Sequence, residues 1–369
     1  MLIDIIKECN SNCKVKDELR KDKIPIVLYG AAIAAEYLYV DFVKDGVYFN
    51  EIAVDKSYIN AKINFLGRKV VAIEDIYKQY ALVTIVIGFY VDDLSIIDQK
   101  INKLKQNGLI ISKVFAPDIS LIISPERVFK FDFIAANSNE FQWLYEHLED
   151  NKSKEVLIAF INQRINMQLG YLRKVKEDKQ YFPSSIFSFT SNEVFIDCGA
   201  YDGDTVEQFL EVLQNQRIKD FEAIYALEPD PNNFKALCEK HKNLKNIYFI
   251  NKGVWKEDRT LFFKGGEEMM SMLADDGNIS VEVTTIDRTL DGREASFIKM
   301  DIQGAELEAL KGAEKTITKY SPKLAICVYH NKEDLITIPR YIKALNSNYK
   351  IYLRAHENKA AEVVLYAVI

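Results

Sequence analysis

No stretch of this 369-residue chain is apolar for long enough to cross a bilayer. The longest candidate, ALVTIVIGFYV at Ala81–Val91, falls well short of the ~20 residues a spanning helix needs and reads as a buried strand. The first residues, MLIDIIKECNSNCK, meet acid and lysine at once and lack the apolar core of a secretory signal. Basic charge is not in excess. Its 48 Lys and Arg against 54 Asp and Glu leave a net charge of -6, which argues against broad binding to nucleic-acid phosphates. Cysteines are few, five in number, and irregularly spaced. Cys9 and Cys13 have no companion pair, so no metal centre is expected there, and the thiols read as the reduced ones of a cytoplasmic protein. Solenoid repeats and low-complexity tracts are absent.

What remains is the balance of a soluble globular protein, 48% apolar and 28% charged, with a length that predicts two or three domains. After an amphipathic segment over residues 1–20, IPIVLYG, YFNEIAVDK, GRKVVAIEDI, LVTIVIGFY and ISKVFAPD alternate with helical stretches. That alternation predicts a small Rossmann-like α/β domain with a parallel sheet, residues 1–120. Residues 121–185 carry apolar residues at three and four spacing and read as a helical connector, closed by the break YFPSSIFSFTSN. A second alternating unit, 186–369, has the strands EVFIDC, AIYALE, NIYFI, SFIKMD, LAICVY, YKIYLRA and AEVVLYAVI, with RTLFF and SVEVTTI interrupting the middle. Only a polar turn separates the last two strands, so a hairpin is expected, with one antiparallel strand in a mostly parallel sheet.

The stretch VFIDCGAYDGDTVEQF, Val194 to Phe209, has the shape of a nucleotide-binding loop but carries Asp197, Asp202 and Asp204. Gly199 and Gly203 permit tight turns and close backbone approach. A pyrophosphate would be repelled, since two unit charges ~4 Å apart interact by ~4 kcal/mol near a protein surface. A ligand with ammonium or sulfonium charge would be attracted. Glu228 ends the second strand, 25 positions after Gly203, where an acid accepts hydrogen bonds from ribose hydroxyls. A cationic nucleoside of this kind is S-adenosyl-L-methionine. The alternative is that the glycines form turns and the aspartates cap a helix.

VFIDCGAYDGDT, YALEPDPNNFKAL and FIKMDIQGAELEALKGA, in this order, resemble the FkbM family of S-adenosylmethionine-dependent methyltransferases. The resemblance runs through VTTIDRTL into LAICVYHNKEDLITIP and covers about residues 180–356. It implies the class I methyltransferase sandwich and O-methylation, often of a sugar or secondary metabolite. One departure is Gln303, where the family pattern usually has Glu.

Within this frame Gly199, Ala200, Tyr201 and Gly203 are expected to shape the methionine subsite. Asp197 and Asp204 are candidates for the ammonium end, directly or through water, and Glu228 for the ribose. Pro229 and Asp230 either border adenine or start a turn. Asn251, Gly253 and Val254 border adenine or form an ordinary loop. Asp301 and His330 end the fourth and fifth strands over one crevice. His330 is the candidate general base, with Asp301 beside both cofactor and acceptor. Lys299 either serves the acceptor or snorkels, and Asp334 either orients His330 or caps the following helix. Asp301 with His330 could also hold a divalent ion, but no compact ligand set is visible in the sequence and no metal is assigned. GGEEMMSMLADDGN, Gly265 to Asn278, reads as a lid or a solvent loop.

In the first domain VLYGAAIAAE has one glycine where dinucleotide loops have three, and Asp55 repeats the strand-end acid. This half is expected to bind a nucleotide or nucleotide-sugar, or to form a dimer surface. The partners expected overall are a small, carbohydrate-like acceptor and neither nucleic acid nor membrane. Two rivals are an NAD(P)-dependent sugar-nucleotide oxidoreductase, for which no Tyr and Lys pair stands out at helical spacing, and a non-catalytic nucleotide-binding scaffold.

Overall fold

The computed structural model describes residue 6 and residues 14–59, 64–91, 93–264, 272–273 and 279–369. Cys9, Cys13 and nearly all of the Gly265–Asn278 segment lie outside the described residues. The chain forms two compact units. The first comprises Met1–Tyr145, Lys154–Lys176 and Ala355–Glu362, the second Glu146–Ser153, Glu177–Arg354 and Val363–Ile369. The stretch expected to be a connector is thus divided between them.

In the first unit the strands are β1 (Ile26–Tyr29), β2 (Glu51–Val54), β3 (Asn64–Phe65), β4 (Arg68–Ala72), β5 (Val83–Ile87) and β6 (Ile111–Phe115), in the order β3-β4-β2-β1-β5-β6. All neighbours are parallel except β3 on β4. β1 (IVLY) and β5 (VTIVI) are buried along their whole length, as expected of central strands covered on both faces. The helices Ile33–Lys44 and Ser95–Gln106 supply that cover, the second burying Ile97, Ile101 and Leu104 at helical spacing. The helix Asn151–Asn166 is anchored by the fully buried Arg164, whose guanidinium lies over the rings of Phe129 and Phe160. Asp118 ties the 355–362 turn into this unit by accepting from Gln163 Nε2 and the Ala360 amide.

The second unit contains β7 (Val194–Cys198), β8 (Ala223–Leu227), β9 (Ile247–Ile250), β10 (Gly253–Val254), β11 (Arg259–Lys264), β12 (Met272–Leu273), β13 (Ile279–Thr284), β14 (Phe297–Met300), β15 (Lys323–Cys327), β16 (Lys350–Ala355) and β17 (Val363–Val368). Its main sheet has the order β16-β17-β15-β14-β7-β8-β9. Counted from its own first strand this is 3-2-1-4-5-7-6. β17 runs antiparallel to β15, and the pairs from β9 through β15 are parallel. That order, with one reversed strand, is the class I methyltransferase sandwich. The two interrupting stretches become β11 and β13, an antiparallel pair in a small separate sheet.

The break YFPSSIFSFTSN does more than close a helix. Phe182, Phe187 and Phe189 are buried and meet the rings of Phe195, Phe209, Phe297 and Tyr366. Aromatic burial holds this irregular segment against the central strands.

Candidate active site

β7 and β14 are parallel neighbours, with Cys198 opposite Met300, so the turns after them leave the sheet side by side. After β7 the chain bends through Gly199 (φ 79°), Tyr201 (φ 48°) and Gly203 (φ 90°) into the helix Asp204–Asn215. The amides of Gly199 and Ala200 both donate to the Leu227 carbonyl at 3.0 Å, which pulls the loop onto the end of β8. A Cβ at Gly199 would stand 2.0 Å from the Asp301 carbonyl oxygen. Here glycine serves close packing between two strand ends as well as the turn. At Gly203 a Cβ would meet His241 Nε2 at 2.3 Å.

The loop's negative charge is partly neutralised from within. Asp197 has no accessible surface, and Lys299 Nζ lies 3.0 Å from its Oδ1. Lys299, itself buried, donates to the carbonyls of Gly199 (2.7 Å) and Cys198 (3.4 Å) and stands 5.1 Å from the centre of the Tyr181 ring. Burial pushes the Asp197 carboxyl up to about 6, with the Lys299 charge opposing. Burial alone would depress Lys299, but the charges of Asp197 and Asp301 outweigh it and hold the ammonium above its ordinary range. One expectation is corrected here: Lys299 is buried and does not snorkel to solvent. Asp197 is closed to solvent as well. Together they form a buried ion pair under the loop. The exposed acid is Asp204, the first residue of the helix, while Asp202 lies 3.5 Å from Lys240.

Glu228, almost fully buried, follows β8. Its Oε2 accepts from the Tyr201 amide and its Oε1 from the Asp230 amide, each at 2.9 Å. Burial raises its carboxyl above the usual range, and the two amides oppose that shift. One carboxylate therefore couples the glycine loop to the tip of β8. Asn251 supports it by donating to the carbonyls of Glu228 (2.8 Å) and Pro229 (3.2 Å). Asp230 caps the helix Pro231–His241 by accepting from the amides of Asn232 and Asn233. Gly253 and Val254 form β10 and pair with β13, with Pro229 near Gly253. Ala200 is buried, and Tyr201 is 56% exposed.

The ends of β14 and β15 bring Asp301 and His330 together, with His330 Nε2 3.5 Å from Asp301 Oδ1. Glu306 lies on the other side of the imidazole, its Oε1 2.9 Å from His330 Nδ1 and accepting from the Ile302 amide at 3.0 Å. Asp301 also accepts from the Tyr181 hydroxyl (2.8 Å) and the Tyr329 hydroxyl (3.4 Å). Asp334 is the first residue of the helix Asp334–Leu345 and accepts the Asn331 amide, which lies before that helix, at 2.8 Å. Burial pushes its carboxyl up to about 7, with the Glu306 charge adding to the shift. The expectation that no compact ligand set exists also needs correction. Asp301, Glu306 and His330 each offer an atom, all within 4.8 Å of one another. Gln303, at φ 56°, is exposed and not in that group, so the departure at 303 removes no member of it.

Two site neighbours carried no assigned role in the sequence. Glu306 had a signal, an acid five positions after a strand-end aspartate in the first turn of a helix. Tyr181 had none, because it sits at φ 63° in an irregular segment.

In the first unit Gly30 (φ 140°) packs against the end of β5, where a Cβ would meet the Gly88 carbonyl oxygen at 2.5 Å. Asp55 accepts from the Tyr29 hydroxyl (2.6 Å) and from Lys100 (2.8 and 3.0 Å). Burial raises its carboxyl, but those hydrogen bonds prevail and it lies below its ordinary value. The fold thus brings together a Tyr and a Lys that are 71 residues apart. Burial and then Asp55 push the Tyr29 phenol up, away from the range of a proton-transfer group.

These features define a class I methyltransferase fold with an acidic, glycine-turned loop after β7 and a carboxylate–imidazole group at the ends of β14 and β15. Residues 197–351 match the family model described as the methyltransferase FkbM domain. The crystal structure of methyltransferase FkbM from Methylobacillus flagellatus KT is similar over 99% of this chain and 96% of that one, with 21% identity and a TM-score of 0.75. Aeropyrum pernix fibrillarin, solved with natively bound S-adenosyl-L-methionine, aligns to 50% of this chain and 70% of its own at 12% identity and a TM-score of 0.31. No curated protein matches the chain.

Proposed function

We propose that the chain is an S-adenosyl-L-methionine-dependent methyltransferase acting on a hydroxyl of a sugar or secondary metabolite. The observation that carries this reading is Glu228, whose carboxylate binds the amides of both Tyr201 and Asp230. It joins the turn suited to the methionine part to the strand tip suited to the ribose. Each carboxylate oxygen can still accept from a ribose hydroxyl. Asp204 supplies exposed negative charge for the ammonium end. In the reaction the sulfonium S–CH3 bond breaks as the acceptor O–CH3 bond forms, S-adenosylhomocysteine leaves, and the hydroxyl proton departs into the group of Asp301, His330 and Glu306.

The first test is calorimetry on the full chain. S-adenosyl-L-methionine and S-adenosylhomocysteine should both bind. Glu228→Gln, which keeps the side chain's shape, should weaken binding by roughly 1–3 kcal/mol, about 5- to 150-fold. Equal affinity in wild type and variant would remove Glu228 from the site, and no binding to wild type would end the proposal. With a competent acceptor, His330→Ala should lower turnover by ~10²-fold or more and leave cofactor affinity nearly unchanged. Unaltered turnover would assign the acceptor end elsewhere.

The oxidoreductase reading loses support because Asp55, the residue that would hold a nicotinamide ribose, is already engaged by Tyr29 and Lys100.

A further inference from the structure

We infer that Asp301, Glu306 and His330 form a binding site for a divalent cation. Three observations lead there. The first is composition and spacing: two carboxylates and one imidazole converge from the end of β14, the first turn of the helix Glu306–Lys311 and the end of β15, within 4.8 Å. An ion bound at ~2.1 Å by each ligand holds its ligands within about 4.2 Å of one another, so side-chain shifts of a few tenths of an ångström would close the group on an ion.

The second is Glu306 itself. It is fully buried; Oε1 takes the Ile302 amide, and Oε2 has no hydrogen-bond partner. A buried carboxylate oxygen left in this way is costly unless a cation or donor meets it. The third is charge. Lys299, the nearby buried cation, is committed to Asp197 and the loop carbonyls. The only ion-pair partner of Glu306 among the described residues is His330, which is positive only when protonated. Buried charges are paired or coordinate metals, and this group has acid in excess.

The donor set narrows the ion. One imidazole with carboxylates suits Mn2+, Fe2+ or Zn2+, whereas thiolate-seeking ions have no ligand here. Asp301 is partly exposed while Glu306 and His330 are buried, so the open coordination positions face the side of Asp301. An oxygen of the acceptor would enter there. That consequence rests on the methyl-transfer reading, but cation binding does not.

The experiment uses the full chain stripped with EDTA and titrated with Mn2+, with free ion read by electron paramagnetic resonance. In parallel, Zn2+ retained after gel filtration is counted by mass spectrometry. About one ion per chain should bind. Pulsed resonance of bound Mn2+ should show 14N coupling that His330→Gln abolishes. Glu306→Gln, which can still accept the Ile302 amide, and Asp301→Asn should each weaken Mn2+ at least tenfold with circular dichroism unchanged. Asp258→Asn, in the Arg288 ion pair, should leave affinity as it was. Should Glu306→Gln fail to fold, His330→Gln and Asp301→Asn decide the matter. Absence of Mn2+ and Zn2+ binding at millimolar ion, or equal binding in wild type and variants, overturns the site. S-adenosyl-L-methionine binding to the same metal-free sample separates that failure from failure of the methyltransferase reading.

Discussion

Lys299→Met should cost the second unit about 3–5 kcal/mol, the range observed when one partner of a buried ion pair is removed. The ammonium lies 3.0 Å from Asp197 and 2.7 Å from the Gly199 carbonyl, and both side chains are buried. Methionine fills the volume but leaves a buried carboxylate unmatched. Urea unfolding of wild type and variant measures the loss, and Asp197→Asn combined with Lys299→Met should recover much of it. The pH dependence gives a second check. In the wild type the native state keeps the Asp197 proton that the unfolded chain releases between its ordinary value of 3.8 and about 6, so the contribution to stability falls as pH rises through that window. Without Lys299 opposing, the native pKa moves higher. The variant's deficit should therefore shrink as pH is lowered from 7 towards 4. A deficit below about 1 kcal/mol that is flat with pH would show the pair to be dispensable.

Gly199→Ala should be comparably damaging, roughly 3 kcal/mol or more, through two penalties at one atom. The residue sits at φ 79°, which L side chains rarely adopt, and the new methyl would lie 2.0 Å from the Asp301 carbonyl oxygen. Relief requires β7 and β14 to part at Cys198 and Met300 or the loop to leave the Leu227 carbonyl. Either movement also displaces Tyr201 and its bond to Glu228, so cofactor affinity should fall at least tenfold even in the folded fraction. Gly292→Ala is the control: it has φ 80° but nothing within 4 Å, so it should lose only the backbone penalty. Equal losses at the two positions would mean that strand contact contributes nothing at Gly199.

Some of the site was legible because it is written locally. Gly199, Gly203 and Glu228 follow strands whose apolar runs are unmistakable, and Asp301 and His330 mark the ends of two more. Strand-end position is a property of a few neighbouring residues, so it survives reading in one dimension. Glu306 was half legible, as an acid in a helix's first turn without a named partner. Tyr181 was not legible, since the segment YFPSSIF has neither helical nor alternating period and is ordered only by the phenylalanines it buries. The Tyr29, Lys100 and Asp55 cluster was equally hidden, because its members lie on three elements that meet only once the first sheet has formed.

By itself the sequence determined the alternation of strand and helix in both units, one reversed strand in the closing hairpin, and the placing of acids and glycines at strand ends. Each follows from hydrophobic period and turn chemistry over a short span. Only the tertiary structure decided what each charge faces. Asp197, a candidate for the ammonium end, is paired with the buried Lys299, 102 positions away, and Glu306 stands against His330. Charge interactions act across space at a few ångströms and depend on burial, and neither quantity is carried by the order of residues along the chain.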